Sequence, residues 1–342
     1  MGERRRYASS TDVARLAGVS QSAVSRTYTE GGSVSPQTRA KVLAAAGELG
    51  YRPSLIPRIM LTHRSYLVAI VVGGMYNPFY AAVLEQFAIK LPEIGFQPLL
   101  VHVDSGDSLD GALPRLASYR VDAVVSALAI RSARSAGKLA QLAIPVIAFN
   151  TTFRNAWVSS VSADNERAGR VVADLFVERG GSRFGFITGA KSSAASEARL
   201  KGYRSGLRAR EILNVEVARA DFRYEDGVAA ALELYRNGAG PDAIFCANDL
   251  IAMGAMDALR HRLGRKVPDE VLVAGFDDIP AASWAAYELT TFVQDSAGMV
   301  EAAVALLVAA TASALPFGGR RAVLPSQLVE RSSTARHGQL AA

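Results

Sequence analysis

The sequence is poor in the residues on which disulfide, metal and nucleophile chemistry depend. It has one cysteine, Cys246, among 342 residues, so an intrachain disulfide is impossible. Cys246 lies inside an apolar run, which favours a place in the core over a reactive role. The four histidines have neither metal-like nor triad-like spacing; they are His63, His102, His261 and His337. We therefore predict no catalytic residue, no metal site and no cofactor, and we do not expect an enzyme.

Long apolar runs are also absent. No run reaches the ~18 residues that a membrane span requires. No apolar segment of signal-peptide length follows the basic start MGERRRYASS. We therefore expect a cytoplasmic protein with no membrane partner. Half of the residues are nevertheless apolar, which is enough for one large domain or for two to three ordinary ones.

Acidic residues are outnumbered in only one part of the chain. The formal net charge is +6, and the whole excess lies in the first 65 residues, because basic and acidic residues balance in the remainder. A basic module on a neutral body favours a polyanion as the partner of that module. A solvated basic face is the alternative, and charge alone does not decide between them.

The basic segment carries the capping signals of two helices in close succession. Ser9 precedes the first predicted helix, and Gly18 can end it in the left-handed conformation. Ser20 then precedes a second helix, from Gln21 to about Tyr28. The apolar face of the first helix, at spacing i, i+3 and i+4, consists of Val13, Leu16 and Ala17.

A third helix follows, with Ser35 as its cap, Pro36 as its first residue and Gly50 past its end. Its expected inner face consists of Val42, Ala46 and Leu49. This pattern predicts a helix-turn-helix, in which the first residues of the second helix meet base edges in the major groove. A three-helix bundle that binds no nucleic acid is the alternative. Glutamine can pair with adenine and arginine with guanine, and the outer face of the second helix carries Gln21, Ser22 and Arg26.

From Leu67 onward, unbroken apolar runs alternate with helical stretches. Strands buried on both faces have this composition, and the alternation predicts parallel βαβ units. Seven or more strands are many for one sheet, so we expect two α/β lobes. The runs are LVAIVVGG, PLLVHV, DAVVSAL, IPVIAF, FGFITG, AIFCA and VLVAGF.

Polar groups follow several of these runs, at the carboxyl ends of strands, where open α/β sheets bind ligands. Carboxylate, amide and guanidinium groups beside aromatic rings suit a small polyhydroxylated ligand in a cleft between two lobes. Plainer roles are open to each group, since side chains at these positions can cap helices, end strands or pack in the core. The candidates are Asn77, Phe79, Tyr80, Ser192, Ser193, Arg199, Asn248, Asp249, Asp277 and Asp278.

The run from Asp12 to Pro53 combines D-V-A-R-L-A-G-V-S, V-S-R, V-S-P, T-R and L-G-Y-R-P at many fixed spacings. It closely resembles the headpiece of the lactose-repressor (LacI/GalR) family of bacterial transcription factors. The resemblance implies double-stranded DNA as the partner, with the operator read by Gln21, Ser22 and Arg26. It also implies supporting contacts, to phosphate, from Ser20, Ser25 and Arg39.

Residues 53–65 match the segment that becomes a short hinge helix on specific DNA in similar proteins. There, two hinge helices of a dimer enter the minor groove. Arg58 matches the family arginine, and Met60 stands where a leucine wedges into the central base step, a role that a flexible apolar methionine can take. Pro57 disfavours the helical conformation at Ile56, so we expect a shorter or distorted hinge helix.

The resemblance continues through N-P-F-Y, F-I-T-G, P-D-A-I-F-C-A-N-D-L and V-A-G-F-D-D-I-P. It implies an α/β periplasmic-binding-protein-like core of two parallel-sheet lobes over residues 66–340, after a headpiece of residues 1–52. The first lobe would hold residues 66–163 and 295–326, and the second residues 164–294 and 327–340, with crossings near 163, 294 and 326. The effector positions that the resemblance implies are Phe79, Tyr80, Asn150, Ser193, Arg199, Phe222, Asn248, Asp277 and Gln294.

The expected protein is therefore a ligand-responsive, sequence-specific DNA-binding repressor that binds a near-palindromic operator as a homodimer. The resemblance implies a sugar or sugar-like metabolite as the effector, with a nucleobase as the alternative. The core alone would also fit a solute-binding protein that carries sugar to a transporter. The basic headpiece argues against that second class.

Overall fold

The computed structural model describes residues 8–29, 31–52, 64–73, 76–103, 109–127, 144–151, 156–191, 193–313 and 319–336. The chain divides into two compact units, Met1–Arg64 and Ser65–Ala342. Each unit has apolar cores of its own.

The first unit contains three helices, α1 (Ser10–Ala17), α2 (Gln21–Thr27) and α3 (Pro36–Leu49). Ser9 and the carboxylate of Asp12 form a capping box at the start of α1. The side chain of Ser20 accepts a hydrogen bond from an N–H of the first turn of α2, and Ser35 does the same for α3. The three predicted caps are therefore confirmed.

Left-handed glycines end two of these helices. Gly18 follows α1 at φ 64° and Gly50 follows α3 at φ 61°, a conformation that costs glycine little because it has no Cβ. The second helix ends one residue earlier than predicted, and Tyr28 is its C-cap. Gly18 and the Ser20 cap together set the turn between α1 and α2.

The core of the first unit is smaller than the sequence predicts. Val13, Val24 and Val42 are fully buried, but Leu16 and Leu49 are 46% and 38% exposed, so their assignment to inner faces was wrong. The inward stripe of α3 runs through positions 42, 45 and 46, and small alanine side chains allow the helices to pack closely. The remaining buried apolar residues of this unit are Ala14, Ala23, Ala45 and Ala46.

The second unit contains a six-stranded parallel sheet with the order β11-β5-β4-β3-β1-β2. Its helices are α4 (Pro78–Glu93), α5 (Leu109–Tyr119) and α10 (Ser296–Thr311). Alternate strand residues pack against α4 and α10 on one face and against α5 on the other. The strands are β1 (Leu67–Val72), β2 (Gln97–His102), β3 (Ala123–Ser126), β4 (Val146–Phe149), β5 (Val158–Ala163) and β11 (Arg321–Leu324).

A four-stranded parallel sheet with the order β7-β6-β8-β9 forms the other lobe of this unit. Its strands are β6 (Phe184–Ile187), β7 (Val215–Ala218), β8 (Ala243–Cys246) and β9 (Leu272–Ala274). Its helices are α6 (Asn165–Glu178), α7 (Ala194–Arg208), α8 (Tyr224–Leu234) and α9 (Asp249–His261). One apolar core joins strands and helices. Cys246 is fully buried in it, and burial raises the pKa of its thiol, as its core assignment predicts.

The chain passes between the two lobes three times. It leaves the six-stranded sheet after β5, returns to it at α10 after β10 (Thr291–Gln294), and leaves it again after β11. Strand β10 pairs antiparallel with β12 (Ser326–Val329). Short 3-10 helices at Pro280–Ser283 and Ser332–Thr334 complete the described elements.

All seven predicted apolar runs contain a strand, which confirms the parallel two-lobed architecture. The predicted runs did not include β5, β7, β10, β11 and β12. Strands β7 and β11 lie at sheet edges and have at most one buried residue each. Strand β5 is fully buried, but serines interrupt its valines, so it forms no continuous apolar run. Among the described helices, none is long and apolar enough to cross a membrane.

Candidate functional site: the recognition helix and the interlobe cleft

The predicted base-reading side chains all lie on the exposed face of α2. Gln21, Ser22 and Arg26 are exposed, and so is Ser25, one of the predicted supporting residues. The Nε2 of Gln21 donates to the hydroxyl of Ser10 at 2.9 Å, and the Nε of Arg26 donates to the carbonyl of Ser22 at 3.3 Å. Gln21 is thus held against α1 and Arg26 along α2, and each contact uses only one of the several hydrogen-bonding groups of its side chain.

The predicted supporting residues stabilise α2 itself. The hydroxyl of Ser20 accepts from the N–H of Ala23 at 3.2 Å and lies 2.9 Å from the hydroxyl of Ser22. The guanidinium of Arg39 donates to the carbonyl of Thr27, the last residue of α2, at 2.9 Å. Two further predicted DNA contacts, Arg58 and Met60, lie outside the described residues, as does Pro57.

In the second unit, Asp277 joins three elements at the cleft between the lobes. Its Oδ2 accepts from the Nδ2 of Asn77 at 2.7 Å, and its Oδ1 accepts from the Nε2 of Gln294 at 2.7 Å. Asn77 precedes α4 in the first lobe, and Gln294 ends β10. Burial raises the pKa of Asp277, while the charge of Arg199 and the two amide donors oppose the rise.

Arg199 is buried beside this carboxylate. Its Nε donates to Oδ1 of Asn165 at 2.8 Å, its Nη1 donates to the carbonyl of Ala247, and its guanidinium lies 3.5 Å from the ring centroid of Phe276. Burial lowers the pKa of Arg199 to about 10, and Asp277 is the main charge that opposes this shift. Arg199 therefore stays protonated at neutral pH and offers a fixed, desolvated cation.

Aromatic residues enter the cleft from both lobes. Phe79 is buried in the core of the first lobe, and its ring centroid lies 5.3 Å from that of Tyr80 in an edge-to-face arrangement. Phe79 therefore packs in the core, which is the alternative role that the sequence left open. Tyr80 is half-buried; burial raises the pKa of its hydroxyl, followed by the charge of Asp277. Phe222 lies so close to Gly189 that a Cβ there would fall 2.0 Å from the ring.

Two buried amide oxygens in this region lack a hydrogen-bond donor. They are Oδ1 of Asn150 and Oε1 of Gln294. The amide nitrogens of the same side chains are engaged, with Asn150 Nδ2 3.4 Å from the hydroxyl of Tyr80 and Gln294 Nε2 on Asp277. An unpaired buried acceptor costs free energy, which a donor that reached either oxygen would relieve.

Two of the predicted effector positions cap helices. Ser193 accepts from the N–H of Ser196 at the start of α7, and Asn248 accepts from the N–H of Ile251 at the start of α9. The amide of Asn248 also donates to the carbonyl of Phe222 at 3.5 Å. Ser192 lies outside the described residues.

Asp249 does not cap α9, which corrects the plainer interpretation of this residue. It is fully buried, its Oδ2 accepts from the N–H of Ile279 at 2.9 Å and its Oδ1 accepts from the hydroxyl of Thr291. Burial, followed by the charge of Asp277, raises the pKa of Asp249 to about 7. Asp249 therefore braces the loop that carries Asp277.

Two features of the cleft had no signal in the sequence. Asn150, Phe222 and Asp277 have φ values of 54°, 66° and 120°, a region that non-glycine residues rarely adopt. At the cleft edge, the hydroxyl of Tyr76 donates to the carbonyl of Asp221 at 3.3 Å, and the guanidinium of Arg223 lies 5.0 Å from the Tyr76 ring. Within the described chain, no cluster of three or more His, Cys, Asp or Glu side chains could hold a metal ion.

Comparison with known proteins agrees with both units. Residues 11–54 match the bacterial regulatory proteins of the lacI family, and residues 173–334 match the periplasmic binding protein-like domain. The transcriptional regulator CelR of Thermobifida fusca is 35% identical over 315 residues, which are 90% of this chain and 92% of that protein.

Two solved structures have the same fold. The CelR–cellobiose complex has a TM-score of 0.70 at 31% identity and covers 95% of this chain and 99% of that one. The lac repressor dimer bound to operator and the anti-inducer ONPF has a TM-score of 0.84 at 24% identity and covers 96% of this chain and 99% of that one.

A capped helix-turn-helix and a two-lobed core with a polar cleft define a class, the DNA-binding transcriptional regulators with a periplasmic-binding-protein-like core. Within that class, the chain belongs to the LacI family of bacterial regulators.

Proposed function

We propose that this regulator is a repressor whose affinity for a near-palindromic operator is controlled by a small polyhydroxylated metabolite, a sugar, bound between the lobes. The observation that carries the proposal is the pairing of a buried Arg199 with a surplus of acceptors in one cleft. The acceptors are the carboxylate of Asp277 and the two unpaired amide oxygens of Asn150 and Gln294.

A ligand for this cleft must supply several hydrogen-bond donors and at least one acceptor. Sugar hydroxyls do both, since each has one donor and two lone pairs. Tyr80, Phe222 and Phe79 add apolar ring surface against which a sugar face can pack. Ser193 and Asn248 would contribute further polar contacts.

Cellobiose is the first sugar to test, because the solved complex of the relative CelR contains it. Ribose and a set of other mono- and disaccharides follow, and adenine, guanine and hypoxanthine represent the alternative effector class. In a thermal-shift screen, a ligand that binds only the folded chain raises the melting temperature. A rise with nucleobases alone would overturn the sugar proposal.

On the DNA side, we propose that Gln21, Ser22 and Arg26 read bases in the major groove. Ser20, Ser25 and Arg39 would position the headpiece, residues 1–52, on phosphate. A two-fold dimer would read two half-sites.

The segment 53–65 would couple the headpiece to the core, residues 66–340. Arg58 and Met60 would enter the minor groove from this segment. A ligand shifts operator affinity only if it binds one lobe arrangement better than the other. Lobe closure would therefore order or release the segment.

The proposed cycle requires binding alone and no catalytic step. Selection of an operator from random duplexes, followed by fluorescence anisotropy with and without cellobiose, tests it directly. We expect specific binding whose strength falls steeply with salt, because arginine–phosphate contacts release counterions. Binding that is insensitive both to duplex sequence and to salt would refute the DNA-binding role.

A further inference from the structure

The effector-binding carboxylate of the proposed function sits on an unusual backbone turn. Asp277 has φ 120° and the next residue, Asp278, has φ 50°. Two consecutive non-glycine residues with positive φ persist only when surrounding contacts hold them there. The turn must therefore be fixed from outside, or the Asp277 carboxylate would lose its alignment with Asn77 and Gln294.

Arg331 holds this turn together with Asp249, whose Oδ2 accepts from the N–H of Ile279. The Nη2 of Arg331 donates to Oδ1 of Asp278 at 2.7 Å, and its Nη1 donates to the carbonyl of Leu289 at 2.7 Å. The two side chains of the ion pair are only 20% and 22% exposed. A planar guanidinium that divides its donors between two acceptors in this way is preorganised, and lysine cannot reproduce that geometry.

The backbone around Arg331 is itself anchored. The N–H of Arg331 donates to the hydroxyl of Thr290 at 2.9 Å, and that hydroxyl lies 2.7 Å from the hydroxyl of Thr334. Ser333 donates to the carbonyl of Val273 at 2.7 Å and accepts from the N–H of Thr290 at 2.8 Å. Hydrogen bonds therefore tie residues 331–334 both to β9 and to Thr290, the residue before β10.

Arg331 also stands close to a strand that runs between the lobes. Only Glu330 separates it from the end of β12, and β12 pairs with β10, which ends at Gln294. The Asp277 carboxylate is thus linked to the β10–β12 pair by two routes. One is the direct hydrogen bond from Gln294 at the end of β10. The other runs along the backbone to Asp278, whose carboxylate is bonded to Arg331 just after β12.

We propose that Arg331 and Asp278 form a positioning pair, which holds the Asp277 carboxylate in the orientation that binds effector. The pair would act on the effector site through the backbone turn, with Oδ1 of Asp278 held by Arg331. Only the effector part of this inference rests on the proposed function, because the fixing of the turn is a property of the protein alone.

The first test needs no ligand. Hydrogen–deuterium exchange of the full chain follows the amides of Asp277 and Ile279, which donate to Phe292 and Asp249. In Asp278→Asn, which keeps a residue tolerant of positive φ, we expect about tenfold faster exchange at these two amides, equal to ~1.4 kcal/mol. Amides of β6 and β8 should keep their rates.

Arg331→Ala should speed exchange at the same two amides, and Arg331→Lys should restore little of the lost protection. The double variant should add nothing to Arg331→Ala, which already removes the ion pair together with the hydrogen bond to Leu289. Arg179→Ala is the matched control, since it breaks the 2.9 Å ion pair between Arg179 and Glu330, the chain neighbour of Arg331, without touching Asp278. If Arg331→Ala does not fold, Asp278→Asn decides alone.

The second test measures cellobiose binding by calorimetry. We expect about tenfold weaker binding in Asp278→Asn, or ~1.4 kcal/mol. Arg179→Ala is again the control, and its melting temperature shows how far general destabilisation accounts for a change. An even rise of exchange across the lobe, or unchanged exchange at Asp277 and Ile279, would overturn the positioning role. If cellobiose fails to bind the wild type, the effector class is wrong, while the exchange result still decides the pair.

Discussion

Asn77 and Asp277 are joined by a hydrogen bond of 2.7 Å between Nδ2 and Oδ2, although 200 positions separate them in the sequence. The same Asn77 side chain caps α4, because its Oδ1 accepts from the N–H of Phe79 at 3.0 Å. One amide therefore starts a helix of the first lobe and holds the loop of the second lobe that carries Asp277.

Asn77→Asp separates these two roles. An aspartate keeps the helix cap, but it places a second carboxylate against Asp277 in a buried site, where like charges repel. We expect a shift toward open lobes in the effector-free protein, seen as a larger radius of gyration in small-angle scattering. Asn77→Ser keeps a helix cap without the added charge and should increase the radius of gyration less. Superimposable scattering curves for all three proteins would contradict this.

Asp277→Ala should shift the effector dose response to roughly 30-fold higher concentration and leave operator binding intact. Loss of a hydrogen bond to a buried charge costs about 2 kcal/mol, or roughly 30-fold in affinity. Operator anisotropy measured with increasing cellobiose checks it. The exposed Asp269→Ala is the control and should respond like the wild type. An unchanged dose response in Asp277→Ala would mean that the effector binds elsewhere.

Arg26→Ala should weaken specific operator binding while the core still binds effector. Loss of a bidentate contact to a base costs about 1–3 kcal/mol of discrimination. The comparison is Arg15→Ala on α1, where the side chain is exposed and paired with Asp12 at 3.2 Å. Competition with random duplex reports specificity directly. Equal specificity in both variants would rule out α2 as the reading helix.

The buried carboxyl of Asp249 should make stability depend on pH. Burial, and then the charge of Asp277, raises its pKa from 3.8 to about 7. Between these values the folded chain keeps a proton that the unfolded chain has lost. Stability therefore falls as pH rises through this window, by at most ~1.4 kcal/mol per pH unit, and no longer changes above it.

Asp249→Asn removes this titration and keeps an acceptor for the N–H of Ile279. The difference in urea midpoint between wild type and variant, measured at pH 5 and pH 8, isolates the effect from other carboxyls. We expect the variant to lose less stability across that interval. Other charged groups near Asp249 are Asp277, Asp278 and Arg199. Parallel pH profiles would show that Asp249 is ionised throughout.

Gly202→Ala should destabilise the core and displace Arg199, which lies one turn earlier on α7. A Cβ at Gly202 would fall 2.0 Å from the backbone carbonyl oxygen of Glu166 on α6. Because backbone cannot move aside easily, overpacking here should cost about 3 kcal/mol. Gly47→Ala on α3 meets no atom within 4 Å and should instead stabilise its helix by ~0.5–1 kcal/mol. Denaturant midpoints distinguish the two.

The helix caps and the buried strands were predictable because their signals are local. A serine that caps a helix, as Ser20 does, needs only the next three residues. An apolar run such as AIFCA needs only a sheet covered on both faces. Edge strands such as β7 gave no such signal, because their outward residues face solvent and tolerate charge, as at Glu216.

Spacing alone misplaced two side chains. Leu16 and Leu49 satisfy helical periodicity, yet both are largely exposed. The crossing of the three helices decides which part of each apolar stripe is covered, and that crossing is made at valines and alanines.

The sequence by itself determined the elements, their order and the kinds of polar group that end the strands of the core. Only the tertiary structure decided how those groups pair. Asp249 braces a loop and caps nothing, Asp277 takes a positive φ, and Arg331 reaches Asp278 from 53 positions away. The reason is physical: caps and apolar periodicity depend on neighbours within a few residues, whereas burial and charge at a cleft depend on segments that meet only after the chain has folded.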